Sequence, residues 1–208
     1  MAKAGRLIYE VLLAAWDGFW VVWSAQLFWL LLCLPVITLP LAFGGLYASA
    51  HALAYGESIT WRSFFEGAKR NFFTALRWCL ANGVVFALLG FYAWFFGGPE
   101  SETQSGLVAG TAIALAILWL VLNLYTFPFM LIQEKRSFFQ ALRNSLVMQF
   151  KWPGLSLGFT LFILLILLLS IWTRFLWLLF AASLPALLAC RLVRYVYEET
   201  IPESGDIT

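Results

Sequence analysis

Residues 107–132 read LVAGTAIALAILWLVLNLYTFPFMLI, a run without a single Asp, Glu, Lys or Arg. A helix needs about 20 consecutive apolar residues to cross the roughly 30 Å of hydrocarbon in a bilayer. The stretch meets this requirement and therefore predicts a transmembrane helix. Similar runs elsewhere in the chain then decide the class of protein.

The composition of the whole chain favours the same class. Of the 208 residues, 62% are hydrophobic and 12% are charged, against roughly 25% charged residues in a soluble domain. A soluble domain of this size could not cover its surface with so few charges. The composition therefore excludes a soluble enzyme, a disordered chain and a secreted disulfide scaffold. The net charge of +2 is also too small for a nucleic-acid-binding protein.

Six segments are long and apolar enough to span a membrane, which predicts an all-α, polytopic membrane protein with one transmembrane domain over residues 1–208. The six expected spans are residues 16–34, 36–55, 74–96, 107–132, 155–172 and 175–190. Pro35 and Pro40 separate the first two spans, because one straight helix over residues 16–55 would be about 60 Å long. Only Thr173 and Arg174 divide the last two spans, and we expect a hairpin there.

The basic residues predict the orientation of the chain. Of the 13 Lys and Arg residues, all except Arg174 fall on one side of this threading. By the positive-inside rule that side is cytoplasmic, so we expect both termini in the cytoplasm. The first apolar run is longer than that of a signal peptide, and we expect it to remain as a membrane helix.

The two connecting loops on the basic side are similar to each other. Residues 61–78 read WRSFFEGAKRNFFTALRW, and residues 135–152 read KRSFFQALRNSLVMQFKW. A shift of 74 positions aligns Arg-Ser-Phe-Phe with Arg-Ser-Phe-Phe and keeps several basic positions. Each copy follows a span that enters the cytoplasm and precedes one that leaves it. The pattern therefore predicts a parallel internal repeat.

Helical spacing in both copies separates an apolar face from a basic face. We expect two amphipathic elbow helices, over about 59–72 and 135–149, which lie in the membrane interface with their Phe side towards the lipid. The candidate residues for contact with lipid or a partner are Arg62, Phe64, Phe65, Lys69, Arg70, Arg136, Phe138, Phe139 and Arg143. Two roles remain open for these helices: an elbow that stabilises the topology, or a docking surface for a partner protein.

Polar residues within the expected spans form a second set of candidates, because polar groups are costly in lipid. They are Gln26, His51, Asn82 and Asn123. We expect Asn82 and Asn123 to form hydrogen bonds between helices, and His51 to bond to a neighbouring helix. The spans contain no acidic pair and no HExxH motif, and the three cysteines lack metal-binding spacing. We therefore expect a non-enzymatic protein without a cofactor or metal.

One part of the chain resembles a known family. Residues 28–73 read FWLLLCLPVITLPLAFGGLYASAHALAYGESITWRSFFEGAKRNFF. The apolar run into Leu34-Pro35, the small-residue stretch 42–50 and the Phe64-Phe65 pair before Lys69 resemble the YesL-like family of bacterial membrane proteins, a domain of unknown function. The resemblance implies a bacterial inner-membrane protein that works beside a carbohydrate ABC transporter. It supplies no catalytic residue.

Two functions of different kinds are therefore expected. The first is an accessory protein that docks on a carbohydrate (ABC-type) uptake system through the two amphipathic helices. The second is a small-solute permease or channel that acts as a homo-oligomer, with a path lined by His51, Asn82 and Asn123. A wet cavity at the bilayer midplane would favour transport, and a close-packed bundle would favour the accessory role. The expected partners are the lipid bilayer, transporter subunits or a second copy of the chain, and no nucleic acid.

Overall fold

A computed structural model describes residues 2–57, 60–96, 102–173 and 180–200. Within these ranges the chain is all-helical and has no strand, as the sequence predicted. The α-helices of these ranges are α1 (Ala2–Asp17), α2 (Phe19–Cys33), α3 (Leu39–Ala54), α4 (Trp61–Arg70), α5 (Phe72–Phe96), α6 (Glu102–Asn123), α7 (Thr126–Ile132), α8 (Phe138–Lys151), α9 (Pro153–Thr173) and α10 (Ser183–Thr200). A short 3-10 helix, Val36–Thr38, precedes α3.

Four helices in the described ranges are long and apolar enough to cross a membrane. They are Val36–Ala54, Phe72–Phe96, Gly106–Ile132 and Pro153–Ser170. These four agree with the second, third, fourth and fifth expected spans. The bent pair formed by α1 and α2 raises the number of candidate spans to five when it is counted as one. The long apolar helices mark a membrane-embedded protein.

The first expected span, over residues 16–34, is wrong as a single straight helix. α1 and α2 meet at Gly18 and are bent by 84°. The Gly18 carbonyl accepts hydrogen bonds from the Val21 and Val22 N–H groups, and a Cβ on Gly18 would lie 3.2 Å from the Ala14 carbonyl oxygen. A residue without a side chain therefore suits this sharp corner. Most of α1 precedes the expected span, and the sequence interpretation missed it.

The expected break at Pro35 is present. α2 ends at Cys33, and Pro35 is extended with φ −87° and ψ 124°. The Thr38 hydroxyl donates to the Pro35 carbonyl oxygen at 2.8 Å and also to the Leu32 carbonyl oxygen. The Thr38 hydroxyl thus places one donor between the Pro35 carbonyl and the Leu32 carbonyl of α2, whose helical N–H partner is missing.

The sixth expected span, over residues 175–190, lies partly outside the described residues, as does Arg174 of the expected hairpin. α10 begins at Ser183 and continues beyond Cys190 to Thr200. Leu192, Val193 and Val196 are buried in the same core as the first turns of α10. The helix continues past the expected end because its second half still packs on the bundle.

α3 lies at the centre of the bundle, where it packs against α2, α4, α5 and α10. Ala42, Leu46, Ala50 and Ala54 recur every four residues along it, and all four are buried. Three of these four side chains are single methyl groups. Small side chains let neighbouring helices approach closely, which is how helices gain packing energy in a bilayer.

The hairpin of α5 and α6 is much more exposed than the rest of the bundle. No residue in the most apolar stretch of α5 is buried, and large side chains such as Leu80, Val84 and Phe91 are exposed. Lipid tails are as apolar as these side chains, so a bilayer solvates a surface that water would not tolerate. The hairpin therefore presents a broad apolar surface that lipid can cover.

Candidate functional site

α4 is one of the two expected amphipathic helices, and it begins at a capping box. The Thr60 hydroxyl accepts a hydrogen bond from the Ser63 N–H at 3.3 Å, and the Ser63 hydroxyl accepts one from the Thr60 N–H at 2.9 Å. This reciprocal pair satisfies two N–H groups that have no partner within the helix. The helix ends before Asn71, and α5 follows directly.

The part of the apolar face of α4 that contains Phe64 and Ala68 packs against α3. Phe64 is only 1% exposed, and a Cβ built on Gly45 would lie 2.6 Å from its ring. A Cβ built on Gly67 would lie 2.5 Å from the Ala48 Cβ. The expectation that Phe64 faces the lipid is therefore wrong. The ring fills a notch in α3 that is open because Gly45 has no side chain.

The outer face of α4 is exposed. It carries Arg62, Lys69 and Arg70, together with Trp61 and Phe65. The Arg62 guanidinium lies 5.8 Å from the centroid of the Trp61 ring, within the distance of a cation–π contact. Basic and aromatic side chains thus share one surface of a helix whose opposite side is fixed by packing.

α8, the second expected amphipathic helix, has a comparable outer face. Phe139 is 80% exposed, Arg143 is exposed and Phe138 is half-buried. On the inner side, Ser145 is fully buried and its hydroxyl donates to the Leu122 carbonyl oxygen at 2.8 Å. One side of α8 is therefore bound to the bundle, and the side with Phe139 and Arg143 is open.

Arg136 connects the two stretches. Its Nη1 donates to Asn71 Oδ1 at 2.9 Å, and Asn71 is buried at the junction of α4 and α5. Arg136 also has a φ of 45°, a left-handed conformation that residues other than glycine rarely adopt. Arg136 is therefore bound within the protein. The exposed basic surface of the two helices is formed by Arg62, Lys69 and Arg143 instead.

Two arginines of α10 bind the end of α3. Arg191 Nη1 donates to the carbonyl oxygen of Ala54 at 2.7 Å, and Arg194 Nη1 donates to the same oxygen. The Arg194 guanidinium also lies 4.4 Å from the centroid of the Tyr55 ring. Cations at a helix C-terminus satisfy free carbonyls and interact favourably with the helix dipole. The sequence interpretation used these arginines only to orient the chain.

A pocket of about 330 Å³ lies beside these arginines, between α1 and α10. It is lined by Arg6, Leu7, Glu10, Arg191, Arg194, Tyr195 and Glu198. Each of the two helices contributes an acid–base pair four residues apart, with N–O distances of 3.3 Å on α1 and 2.6 Å on α10. Desolvation and the neighbouring Glu199 carboxylate raise the pKa of Tyr195. The charged groups of this pocket are therefore largely paired with one another.

Asn82 and Asn123 form hydrogen bonds between helices, as the sequence predicted, and the structure adds that they bond to each other. Asn123 Nδ2 donates to Asn82 Oδ1, and Trp119 Nε1 donates to the same oxygen at 2.9 Å. Trp78 Nε1 donates to Asn123 Oδ1 at 3.2 Å, and Asn82 Nδ2 donates to the Trp78 carbonyl oxygen at 2.8 Å. The two amides and two indoles therefore fasten α5 to α6.

Gln26 caps the start of α10. It is fully buried, and its Oε1 accepts hydrogen bonds from the Ala182 and Ser183 N–H groups at 3.1 Å and 2.9 Å. The first N–H groups of a helix have no partner within it, and the Gln26 side-chain oxygen accepts hydrogen bonds from two N–H groups at the start of α10. A polar residue in an apolar run was the sequence signal, but the partner could not be read from it.

His51 stacks on Tyr55 in the next turn of α3, with ring centroids 4.5 Å apart. The expected hydrogen bond from His51 to a neighbouring helix is absent among the described residues. Asn82 and Asn123 contact each other between α5 and α6. The three residues expected to line a solute path are therefore not gathered at one site.

The interior of the bundle contains a small pocket between α2, α3 and α10. Its volume is about 10 Å³, close to the minimum for a single water molecule. Ser49 and Ser183 line it, and their hydroxyls have no hydrogen-bond partner in the described part of the chain. Larger pockets, of about 190 to 450 Å³, lie beside α1, α4, α8 and the end of α10.

Residues 154–158 read GLSLG, the GxSxG spacing of a serine nucleophile in α/β-hydrolases, and the sequence candidates above did not include them. The hydrolase motif requires a strand–turn–helix, whereas Ser156 lies within α9. Its hydroxyl donates to the Gln149 and Pro153 carbonyl oxygens. The single His of the chain, His51, stacks on a tyrosine of α3. These contacts describe a helix-start serine and not a nucleophile elbow.

The fold thus defines an all-helical, membrane-embedded protein in which shorter helices pack against long apolar ones. No family model matches the chain, and no curated protein or solved structure matches it. In residues 2–57, 60–96, 102–173 and 180–200, no group of three or more His, Cys, Asp and Glu is placed to hold a metal ion.

Proposed function

We propose that this protein is a non-enzymatic accessory protein of a bacterial inner membrane, and that it docks on a partner complex through the outer faces of α4 and α8. The observation that carries the proposal is the division of α4 into two faces. Phe64 and Gly67 hold one face against α3, and Arg62, Phe65 and Lys69 occupy the other. A helix fixed on one side presents the other side with little loss of conformational entropy on binding.

The burial pattern supports the relation between the two faces. Under the shift of 74 positions, buried or half-buried residues of α4 and its end correspond to buried or half-buried residues of α8. The pairs are Phe64 with Phe138, Gly67 with Ala141, and Asn71 with Ser145. Exposed residues also correspond, as Phe65 does with Phe139 and Lys69 with Arg143. This agreement supports a parallel repeat that presents two related surfaces.

The topology in this proposal has six spans, with both termini and both amphipathic helices on the cytoplasmic side. The distribution of basic residues supports this topology. Arg6 and Arg194 line one pocket, and Arg194 also binds the Ala54 carbonyl at the end of α3. Arg70 lines the neighbouring groove between α3 and α4, and Arg136 binds Asn71, the residue after Arg70. Basic residues next to anionic lipid contribute about 1 kcal/mol each. A reporter enzyme that is active only in the cytoplasm should be active when it is fused after Thr208. Activity of a reporter that works only outside the cytoplasm would contradict this topology.

The proposed partner is a carbohydrate ABC-type uptake system. This part is supported by the resemblance of residues 28–73 to the YesL-like family, and it names the complex to look for. In a mild detergent, the tagged chain should retain subunits of such a transporter that mass spectrometry identifies. A chain that purifies alone in several mild detergents would contradict the accessory role.

Charge reversal at the outer faces tests the surface itself. The double variant Lys69→Glu and Arg143→Glu should reduce recovery of the transporter subunit by about tenfold, because it replaces the exposed basic groups of both docking faces with carboxylates. Lys135→Glu is the matched control, since Lys135 is exposed and lies before α8. Equal recovery with the double variant and the control would exclude these faces as the docking surface. Membrane insertion should be the same in all three proteins.

A second candidate function is a small-solute permease that acts as an oligomer. One observation favours it: Ser49 and Ser183 place hydroxyls without partners beside the interior pocket between three helices. Liposomes that contain the purified chain should then take up a small polar solute faster than empty liposomes. Ser183→Ala should reduce this uptake, and unchanged flux would remove the pocket from any solute path.

A further inference from the structure

α1 and α2 form a corner at one end of the bundle, where they are bent by 84° at Gly18. α2 connects to the start of α3 through the turn at Pro35, and a Cβ on Gly18 would lie 3.4 Å from the Leu53 side chain near the end of α3. α2 and α3 are therefore an antiparallel hairpin. Since Val36–Ala54 is a candidate membrane span, α2 follows the direction of that span and α1 lies nearly perpendicular to it.

Both ends of α1 lie near the ends of candidate spans. Gly18 is beside the last turn of α3. At the other end, the Ala4 Cβ would lie 3.1 Å from a Cβ built on Gly158, in the second turn of the candidate span Pro153–Ser170. A helix that joins two span ends at right angles to the membrane-crossing direction follows the boundary between headgroups and acyl chains, because the spans leave the hydrocarbon there.

The surface of α1 is divided into three faces at helical spacing. The first face packs against α9 and α10, and its buried residues are Ala4, Val11 and Ala15. The second face is polar and contains Arg6, Glu10 and Asp17. The third face is apolar and exposed, and it contains Tyr9, Leu12, Leu13 and Trp16. Tyr9 is 62% exposed and Trp16 is 75% exposed, so the bundle covers little of either side chain.

The polar face of α1 is directed away from the hydrocarbon. Arg6 and Glu10 line a pocket together with Glu198 of α10. α10 passes the end of α3 at Arg191, which binds the Ala54 carbonyl oxygen, and reaches Glu198 two turns later. The pocket therefore lies beyond the end of the candidate span, on the side where water and headgroups meet the protein.

Lipid is the occupant that fits the third face. Trp and Tyr side chains are enriched at the two interfaces of a membrane, where an apolar ring and a polar group are both accommodated. A helix with an apolar face and a polar face on different sides is typical of helices that lie on a membrane. The position of α1 across the span ends brings its apolar face to that depth.

We propose that α1 is an interfacial helix that binds the lipid surface in the plane of the membrane. Tyr9, Leu12, Leu13 and Trp16 insert about 5–10 Å into the boundary of headgroups and acyl chains. This surface is separate from the outer faces of α4 and α8, and lipid binding by α1 does not depend on a docked partner.

Spin labelling of the full chain in liposomes of phosphatidylcholine and phosphatidylglycerol tests the proposal. Cys33→Ala and Cys79→Ala remove the two half-buried thiols, and Cys190 remains because it is buried. One new cysteine then carries the label. Collisions of the label with oxygen, which concentrates in lipid, and with a water-soluble nickel chelate measure its depth. Val84→Cys, on the exposed surface of α5, provides the reference for a deep position.

Two pairs of adjacent positions are compared. Tyr9→Cys and Trp16→Cys place labels on the apolar face, and both labels should collide more with oxygen than with the nickel chelate. They should lie at the same depth, closer to the surface than the Val84 label. Glu10→Cys and Asp17→Cys are the matched controls on the polar face, and they should show the opposite preference.

Three results would overturn the proposal. Tyr9 and Trp16 are about 10 Å apart along the helix, so a difference of about 10 Å in their depths would make α1 part of a membrane span. A preference for the nickel chelate at both positions would leave the apolar face in water. Few collisions with either reagent would show that a second copy of the chain or another protein covers the face.

Discussion

The contact between α3 and α4 differs in kind from the contact between α5 and α6. α4 is held to α3 by shape, through Phe64 in the notch at Gly45 and Gly67 against Ala48. α5 is held to α6 by the hydrogen bonds of Asn82 and its partners. Close packing is intolerant of added volume, whereas hydrogen bonds between membrane helices contribute little each. The comparison predicts that the protein is more sensitive to change in the first region than in the second.

The largest expected effect follows from removal of the buried ring. Phe64→Ala should lower the free energy of unfolding by about 3–5 kcal/mol, because it leaves a cavity against α3. Phe91→Ala on the exposed surface of α5 is the matched control and should change it by less than about 0.5 kcal/mol. Denaturant titration in detergent measures both values. Similar losses for the two variants would show that Phe64 is not a packing residue.

An added methyl group tests the notch itself. Gly45→Ala should cost about 1–3 kcal/mol, because the new Cβ would overlap the Phe64 ring and the buried ring has little room to move. No atom lies within 4 Å of a Cβ at Gly83 of α5, so Gly83→Ala should not destabilise the protein. The same titration compares them. A Gly45→Ala protein as stable as the parent would mean that α4 lies farther from α3 than described.

The helix starts of the two related stretches differ and give a smaller effect. Thr60→Ala should cost about 1 kcal/mol, because it removes the side chain that caps α4. Ser137 precedes α8 and makes no side-chain cap bond, so Ser137→Ala should have little effect. Helix content by circular dichroism and the unfolding titration measure the difference. Equal costs would indicate that both hydroxyls cap their helices.

The smallest expected effect is in the polar contact of α5 and α6. Asn82→Leu should cost about 0.6 kcal/mol and no more than about 1.7 kcal/mol, as measured for other hydrogen bonds in membrane helices. Its effect should not add to that of Asn123→Leu, because the two amides share a bond. Thr111→Val is the control, since this hydroxyl bonds within its own helix. Fully additive losses in the double variant would mean that the two amides act separately.

The long apolar runs predicted the third, fourth and fifth spans well because length and hydropathy alone decide that a helix enters a membrane. The break before α3 was also predicted, since Pro35 cannot continue a helix. The bend at Gly18 was missed because a glycine permits a corner without requiring one. α1 was missed with it, because its apolar residues lie on one face and not in a continuous run.

The predicted orientation of Phe64 towards lipid was wrong for a related reason. Helical spacing shows that apolar side chains share a face, but lipid and protein interior are both apolar, so spacing cannot distinguish them. The clue was the small-residue stretch around Gly45, which a close neighbour requires. The roles of Gln26, Arg191 and Arg194 depend on contacts between distant parts of the chain, and a single sequence contains no direct signal for them.

The contact of Gln26 with Ser183 has a consequence for synthesis of the chain. The two residues are 157 positions apart, and ribosomes add about 5–20 residues per second. Gln26 is therefore made roughly 8–30 s before the N–H groups that it will bind. During that interval its amide is in an apolar setting without these partners. The Ala54 carbonyl of α3 likewise waits for Arg191, which has not yet been made. α10 thus completes contacts of the first helices, so this part of the bundle closes only after Ser183 has been made.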